Sequence, residues 1–229
     1  HYYKNYMHVE KSEACLRRVF NIFGLHLFEY NRRTSPVNLK IDIDTYEDIE
    51  TVIKQVLDDV AIHLSKYGCS FDENDLFIYR SKDKIIDGKI KHSIHINIRD
   101  KNWCFASKSD ILEFIKKHDI ANVDIKVYHD RLFRCPFANK PTEDRQVLPL
   151  RWPSWVKSPT STKDTEFNFK LFKYGLMGYI EPLQKTNIIK LVSDEKRQAV
   201  HKTLKAKCTK AFINADDTEI FYNVRCEYI

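Results

Sequence analysis

Two kinds of hydrophobic spacing divide the chain. From Val37 to Asp44 apolar and polar residues alternate, with Val37, Leu39, Ile41 and Ile43 on one side and Asn38, Lys40, Asp42 and Asp44 on the other. A period of two is that of a strand, here with a wet face carrying two carboxylates. Ile90–Ile98 alternates in the same way, with Ile90, His92, Ile94, Ile96 and Ile98 against Lys91, Ser93, His95 and Asn97. Between them Ile49, Val52, Ile53, Val56, Leu57, Val60, Ala61 and Leu64 recur in steps of three and one, which predicts an amphipathic helix ending near Gly68.

Shorter signals fill in the rest. Ser12 caps a first helix through about Ile22, and His26–Tyr30 reads as a strand. Leu76–Arg80 reads as a strand, followed by a charged turn over Ser81–Lys89 containing Asp87-Gly88. A helix is expected from about Ser109 to Lys117, then strands over Val123–Tyr128 and Arg131–Arg134. Residues 141–165, rich in Pro, Ser and Thr, mark an internal boundary. Glu166–Tyr179 and Asp194–Cys208 read as helices and Ile220–Tyr228 as a strand. Strands and helices mix without regular βαβ spacing, so the fold class expected is α+β rather than doubly wound. The boundary divides the chain into a core over 1–160 and a mainly helical accessory region over 161–229 with a C-terminal strand.

Composition narrows the class. The chain has 229 residues, 43% hydrophobic and 31% charged, values of a folded protein with its own core. Five Gly and seven Pro argue against low complexity and against a glycine-rich phosphate loop. No apolar run approaches the ~18 residues of a membrane span. The six Cys stand at positions 15, 69, 104, 135, 208 and 226, none at C-x-x-C spacing, so no zinc ribbon or redox motif is legible. Scattered thiols point to an intracellular compartment. The start at His1 without Met reads as a piece cut from a longer protein. The net charge of +6 allows an anionic partner such as nucleic acid without demanding one.

Three sets of residues carry candidate chemistry. Asp42 and Asp44, two apart on a strand, project from one face. Two such carboxylates repel unless a divalent cation lies between them, and Mg²⁺ or Mn²⁺ prefers oxygen ligands. A solvated strand edge shows the same pair. Lys91, Ser93 and His95 line up an ammonium, a hydroxyl and an imidazole, donors suited to phosphate oxygens. The polar face of a half-exposed strand would look alike. Asp124 is followed by Arg131, Arg134 and Lys140, and Arg offers a fixed fork to phosphate. A basic surface loop is the plainer reading there.

The order of these sets resembles the archaeo-eukaryotic primase superfamily, in particular its primase–polymerase and large-DNA-virus branches. Asp42-Ile43-Asp44 is similar to the family's acidic D-x-D/E strand, Ser93-Ile94-His95 to its S-x-H strand, and Asp124 to its later Asp. The stretch from Val127 to Lys140 is similar to the V-Y-x-x-x-R-x-F-R…S-K segment, with Asn139 where Ser is common and one residue fewer between Tyr128 and Arg131. Leu27-Phe28-Glu29-Tyr30 and then Pro36 add to the likeness, which covers roughly residues 24–150.

The resemblance implies a primase-type catalytic core of mixed and antiparallel sheets flanked by helices, with an RRM-like active-site subdomain. It implies template-directed nucleotidyl transfer from NTPs or dNTPs on a single-stranded DNA template, as a DNA primase or primase–polymerase in replication. Asp42, Asp44 and Asp124 would be catalytic and hold two divalent ions, Mg²⁺ or Mn²⁺. Lys91, Ser93, His95, Arg131, Arg134 and Lys140 would bind the nucleotide. A helicase domain or subunit is the further partner implied, and a virus or mobile element the source.

Three other classes fit the residues less well. A DNA polymerase β-like nucleotidyltransferase usually has Gly-Ser on a helix before its acidic pair, and Thr34-Ser35-Pro36-Val37-Asn38 has none. A replication-initiator nuclease needs two His around one apolar residue, which His95-Ile96-Asn97 lacks. A non-catalytic nucleic-acid-binding domain predicts damaged acidic or S-x-H sets, and all three sets are intact.

Overall fold

A computed structural model describes residues 3–8, 13–23, 27–31, 35–129, 133–139, 144–159, 164–178, 187–193 and 218–224. In chain order these hold β1 (Tyr3–His8), α1 (Glu13–Phe23), β2 (Leu27–Asn31), β3 (Leu39–Thr45), α2 (Ile49–Ser65), β4 (Leu76–Ile86), β5 (Lys89–Ile98) and β6 (Trp103–Phe105). There follow α3 (Lys108–His118), β7 (Phe133–Arg134), β8 (Val147–Arg151), α4 (Thr165–Tyr174), β9 (Asn187–Ile189) and β10 (Thr218–Val224). The fold is mixed α+β, as the spacing predicts, built on antiparallel sheets and a few helices. One sheet runs β3-β5-β4-β8, a second β1-β10-β2-β7, and β6 pairs with β9 in parallel.

Local chemistry sets the helix ends. Asp48 caps α2, its carboxylate accepting from the Thr51 amide (2.9 Å) and hydroxyl (2.8 Å). Such a cap stabilises by about 1 kcal/mol. The three-and-one spacing then buries Val52, Ile53, Val56, Val60 and Leu64. A turn follows at Gly68, whose left-handed φ of +67° glycine adopts at no steric cost. Ser107 caps α3 and Asp164 caps α4.

The β3-β5-β4 sheet presents two unlike faces. Leu39, Ile41, Ile43, Ile78, Ile94, Ile96 and Ile98 form the main core with the buried sides of α2 and α3. Five aliphatic side chains buried from α2 alone contribute roughly 1.5–3 kcal/mol each. On the opposite face, Phe77 and Tyr79 pack with Val147, Val156, Phe167 and Leu171, so α4 covers β4 on this face. Tyr79 donates its hydroxyl to the Leu171 carbonyl at 2.7 Å. Gly175, ending α4, meets this sheet so closely that a Cβ there would strike Pro136 and the Tyr79 ring.

Several sequence expectations are corrected. Ser81–Lys89 is not a turn: β4 runs on to Ile86, and only Asp87 (φ +50°) and Gly88 (φ +75°) turn the hairpin. Two consecutive left-handed residues make the tight turn whose twist matches the strands, and a bulge between Ser81 and Lys84 absorbs the extra residue. Val123–Tyr128 is not a strand. Val123 makes one bridge to Ile43 and Ile125–Tyr128 is a 3-10 turn, because the Asp124 carboxylate accepts from the Lys126 amide and bends the chain. Asn38 and Lys40 are buried, since the chain after α4 lies over them. Ile90 is 52% exposed at the hairpin end.

Residues 141–165 hold β8, paired with β4. Beyond residue 161, α4 shares a cluster with Leu16, Val19 and Leu27, and β10 lies between β1 and β2. The helix expected over Asp194–Cys208 lies outside the described residues.

Candidate active site

Register turns the second face of the sheet into rungs. Asp42 of β3 stands opposite His95 of β5, which stands opposite Tyr79 of β4. The next rung is Asp44, Ser93 and Ser81, and the previous one is Lys40, Asn97 and Phe77. Directly opposed residues share a face, so the acidic pair and the Lys91-Ser93-His95 row meet side by side. The third carboxylate comes from outside the sheet. The Asp124 amide donates to the Asp42 carbonyl at 2.8 Å, while Val123 bridges Ile43. Tyr128 pins the same segment, its buried hydroxyl donating to the Lys40 carbonyl at 2.6 Å.

Burial and neighbouring charge both act on Asp42. The Asp42 side chain is 14% exposed. Burial pushes its pKa up from 3.8 to about 7, and the charges of Asp44 and Asp124 push the same way. Lys40 and Arg134 oppose them. His95 Nε2 lies 3.4 Å from Asp42 Oδ1, outside hydrogen-bond geometry, so that buried oxygen accepts no hydrogen bond. Lys91 Nζ pairs with Asp44 Oδ2 at 2.7 Å, and this carboxylate holds the ammonium above the ordinary lysine value.

Arg134 reaches the site from the other sheet. It is 7% exposed and donates to Ser81 Oγ and to the Arg145 carbonyl, both at 2.6 Å. Its guanidinium is thereby fixed at the end of the Asp44-Ser93-Ser81 rung. Arg131 and Lys140 lie outside the described residues.

Among the described residues no group of three or more His, Cys, Asp or Glu side chains is gathered at metal-holding distance. In chemistry alone the donors suit a hard divalent cation: Asp42, Asp44 and Asp124 offer carboxylate oxygens, and one oxygen of Asp42 is buried without a donor. Lys91 now neutralises Asp44 and would have to turn away for a cation to bind there.

Sequence reasoning missed two contributors. Lys40 shares the face of Asp42 two residues before it, but the alternation assigns it to solvent. In the fold its ammonium is buried, donates to the Gly175 carbonyl at 3.1 Å and lies over the Phe133 ring. Ser81 gave no signal, because it falls where the pattern reads as a turn.

Comparison of the sequence with models of known protein families finds no match, and comparison with curated proteins finds none.

Proposed function

We propose that this chain is the catalytic domain of a DNA primase or primase–polymerase, carrying out template-directed nucleotidyl transfer from NTPs or dNTPs on single-stranded DNA. The observation that carries the reading is the shared strand face of Asp42 and Asp44, with a buried Asp42 oxygen that has no donor and the Asp124 amide on the Asp42 carbonyl, beside the row of Lys91, Ser93 and His95. The topology supports it. β3 and β4 both run antiparallel to β5, which lies between them, and α2 links the two outer strands. α3 following and Val123 bridging the free edge of β3 support reading this unit as an RRM-like split βαβ.

Asp42, Asp44 and Asp124 would hold Mg²⁺ or Mn²⁺, which supplies charge stabilisation for an attacking 3′-hydroxyl oxygen and the leaving pyrophosphate. The chain's own residues do the positioning. Ser93 and His95 offer hydroxyl and imidazole donors to triphosphate oxygens, and Lys91 exchanges its Asp44 partner for phosphate. Arg134, held by Ser81 and Arg145, presents fixed positive charge without reorganising. Arg131 and Lys140 complete the nucleotide set in this reading. A helicase domain or subunit is the proposed partner and the interior of a cell the proposed location. Among the described residues, no helix is long and apolar enough to cross a membrane.

The Lys91–Asp44 ion pair favours one second reading, a nucleic-acid-binding domain without catalysis. Primer synthesis from labelled nucleotides on single-stranded DNA with Mg²⁺ or Mn²⁺ separates the two. Products from the native chain and none from Asp42→Ala support the enzyme. Bound template with no product supports the binding domain.

A further inference from the structure

The hairpin joining β4 and β5 projects beyond the site, and its two faces differ. Lys84 stands opposite Lys91, Ile85 opposite Ile90, and Ile86 opposite Lys89. Alternation along β5 therefore puts Lys89, Lys91, Ser93 and His95 on one continuous face, with Lys84 across from Lys91. That face is the one bearing Asp42 and Asp44, as the Lys91–Asp44 contact shows. The other face carries Ile85 (73% exposed) and Ile90 (52% exposed), with His92 bound to Asp83 further in. Lys84 and Lys89 are exposed. Among the described residues, the acidic groups near the ribbon include Asp44, paired with Lys91; Asp83, bound to Arg80 and His92; Asp87 in the turn; and Asp144, which lines a hollow with Lys82 and Asp83.

A row of ammonium groups thus leads straight out of the carboxylate site. Same-face residues recur about every 7 Å along a strand, a spacing comparable to that of successive phosphates in an extended polynucleotide. We propose that this ribbon is a nucleic-acid grip, with Lys84 and Lys89 binding backbone phosphates of the DNA strand presented to Asp42 and Asp44. The inference rests on the function proposed above for the partner's identity, but not on catalysis. Charge decides the occupant: beyond the carboxylates this face carries Lys84, Lys89 and Lys91 beside Ile86, on a narrow β-ribbon, and a polyanion is what such a row attracts. The isoleucine face plays no part in the grip.

The test is fluorescence anisotropy of a labelled single-stranded DNA oligonucleotide with the full chain, in EDTA and without nucleotide. Lys84→Glu/Lys89→Glu is expected to bind at least ~10-fold more weakly at 0.1 M salt, and loss of two phosphate contacts lowers the salt slope by about 1.4. Ile85→Thr/Ile90→Thr is expected to bind within about two-fold of the native chain, and Lys84→Ala/Lys89→Ala to fall between, which guards against a folding artefact. Native binding by the double-Glu variant, no DNA binding by the native chain, or weakening by the isoleucine variant instead would overturn the grip. The catalytic reading fails separately: a chain that makes no primers yet loses DNA on lysine reversal retains the grip, whereas active synthesis with binding indifferent to the lysines removes it alone.

Discussion

Asp42→Asn should stabilise the protein at alkaline pH while abolishing its proposed activity. A carboxyl whose folded-state pKa is raised holds its proton more tightly in the folded chain than in the unfolded one. Its contribution is fully favourable below pH 3.8, and stability is lost as the pH rises from there through about 7. At 1.36 kcal/mol per pH unit, the full rise corresponds to about 4 kcal/mol at pH 8. Asn removes the charge but still buries an amide, at a cost of roughly 1–3 kcal/mol. A net gain of about 2 kcal/mol remains, or roughly 4–8 °C in Tm for a chain of this size. The assay is thermal unfolding at pH 5 and pH 8, in EDTA and, separately, in Mg²⁺ without chelator. The Asn variant should melt higher at pH 8, with the gap shrinking by more than half at pH 5. Mg²⁺ should raise the Tm of the native chain and leave the variant unmoved. Equal or lower stability of Asp42→Asn at pH 8, or a gap independent of pH, would refute the raised pKa that burial, and after it the charges of Asp44 and Asp124, give this carboxyl.

Two other substitutions probe separate parts of the account. Gly175→Ala places a methyl group 2.7 Å from the Tyr79 ring and hydroxyl, and overpacking of this kind costs about 1–3 kcal/mol, read as a lower denaturant midpoint. His95→Ala should weaken nucleotide binding at least several-fold and template binding little. Equal losses in titrations with nucleotide and with DNA would count against a triphosphate role.

The parts of the fold that could be read from the residues are those where one face is apolar throughout. α2 and the inner faces of β3 and β5 follow directly from spacing, because Ile41, Ile43, Ile94 and Ile96 have no other place to be buried. The shared faces of Asp42 with Asp44 and of Lys91, Ser93 and His95 were legible for the same reason, since residues two apart on a strand share a face whatever the fold; the placing of Asp124 was not, because the strand expected there is a 3-10 turn. What was not legible depends on contacts distant in sequence. Lys40 and Asn97 look solvent-facing until the chain after α4 covers them, Lys40 donating to the Gly175 carbonyl and Asn97 to that of Tyr174. Glu29 lies in a short strand, and its carboxylate accepts from the Met177 and Gly178 amides at 2.8 and 2.6 Å, about 150 residues away. β6 and β9 are three residues each and too short for any periodicity. The charged run from Ser81 to Lys89 reads as a turn because lysines on an exposed ribbon carry no alternation of burial.

The central claim is that Asp42, Asp44 and Asp124 form one metal-dependent nucleotidyl-transfer site. Its most direct measurement is primer synthesis on single-stranded DNA with labelled nucleotides and Mg²⁺ or Mn²⁺, comparing the native chain with Asp42→Ala and Asp44→Ala. The account expects short, metal-dependent products from the native chain and none from either variant, with all three folded alike by circular dichroism. Synthesis that survives the loss of either carboxylate, or template binding with no product under any metal, would contradict it.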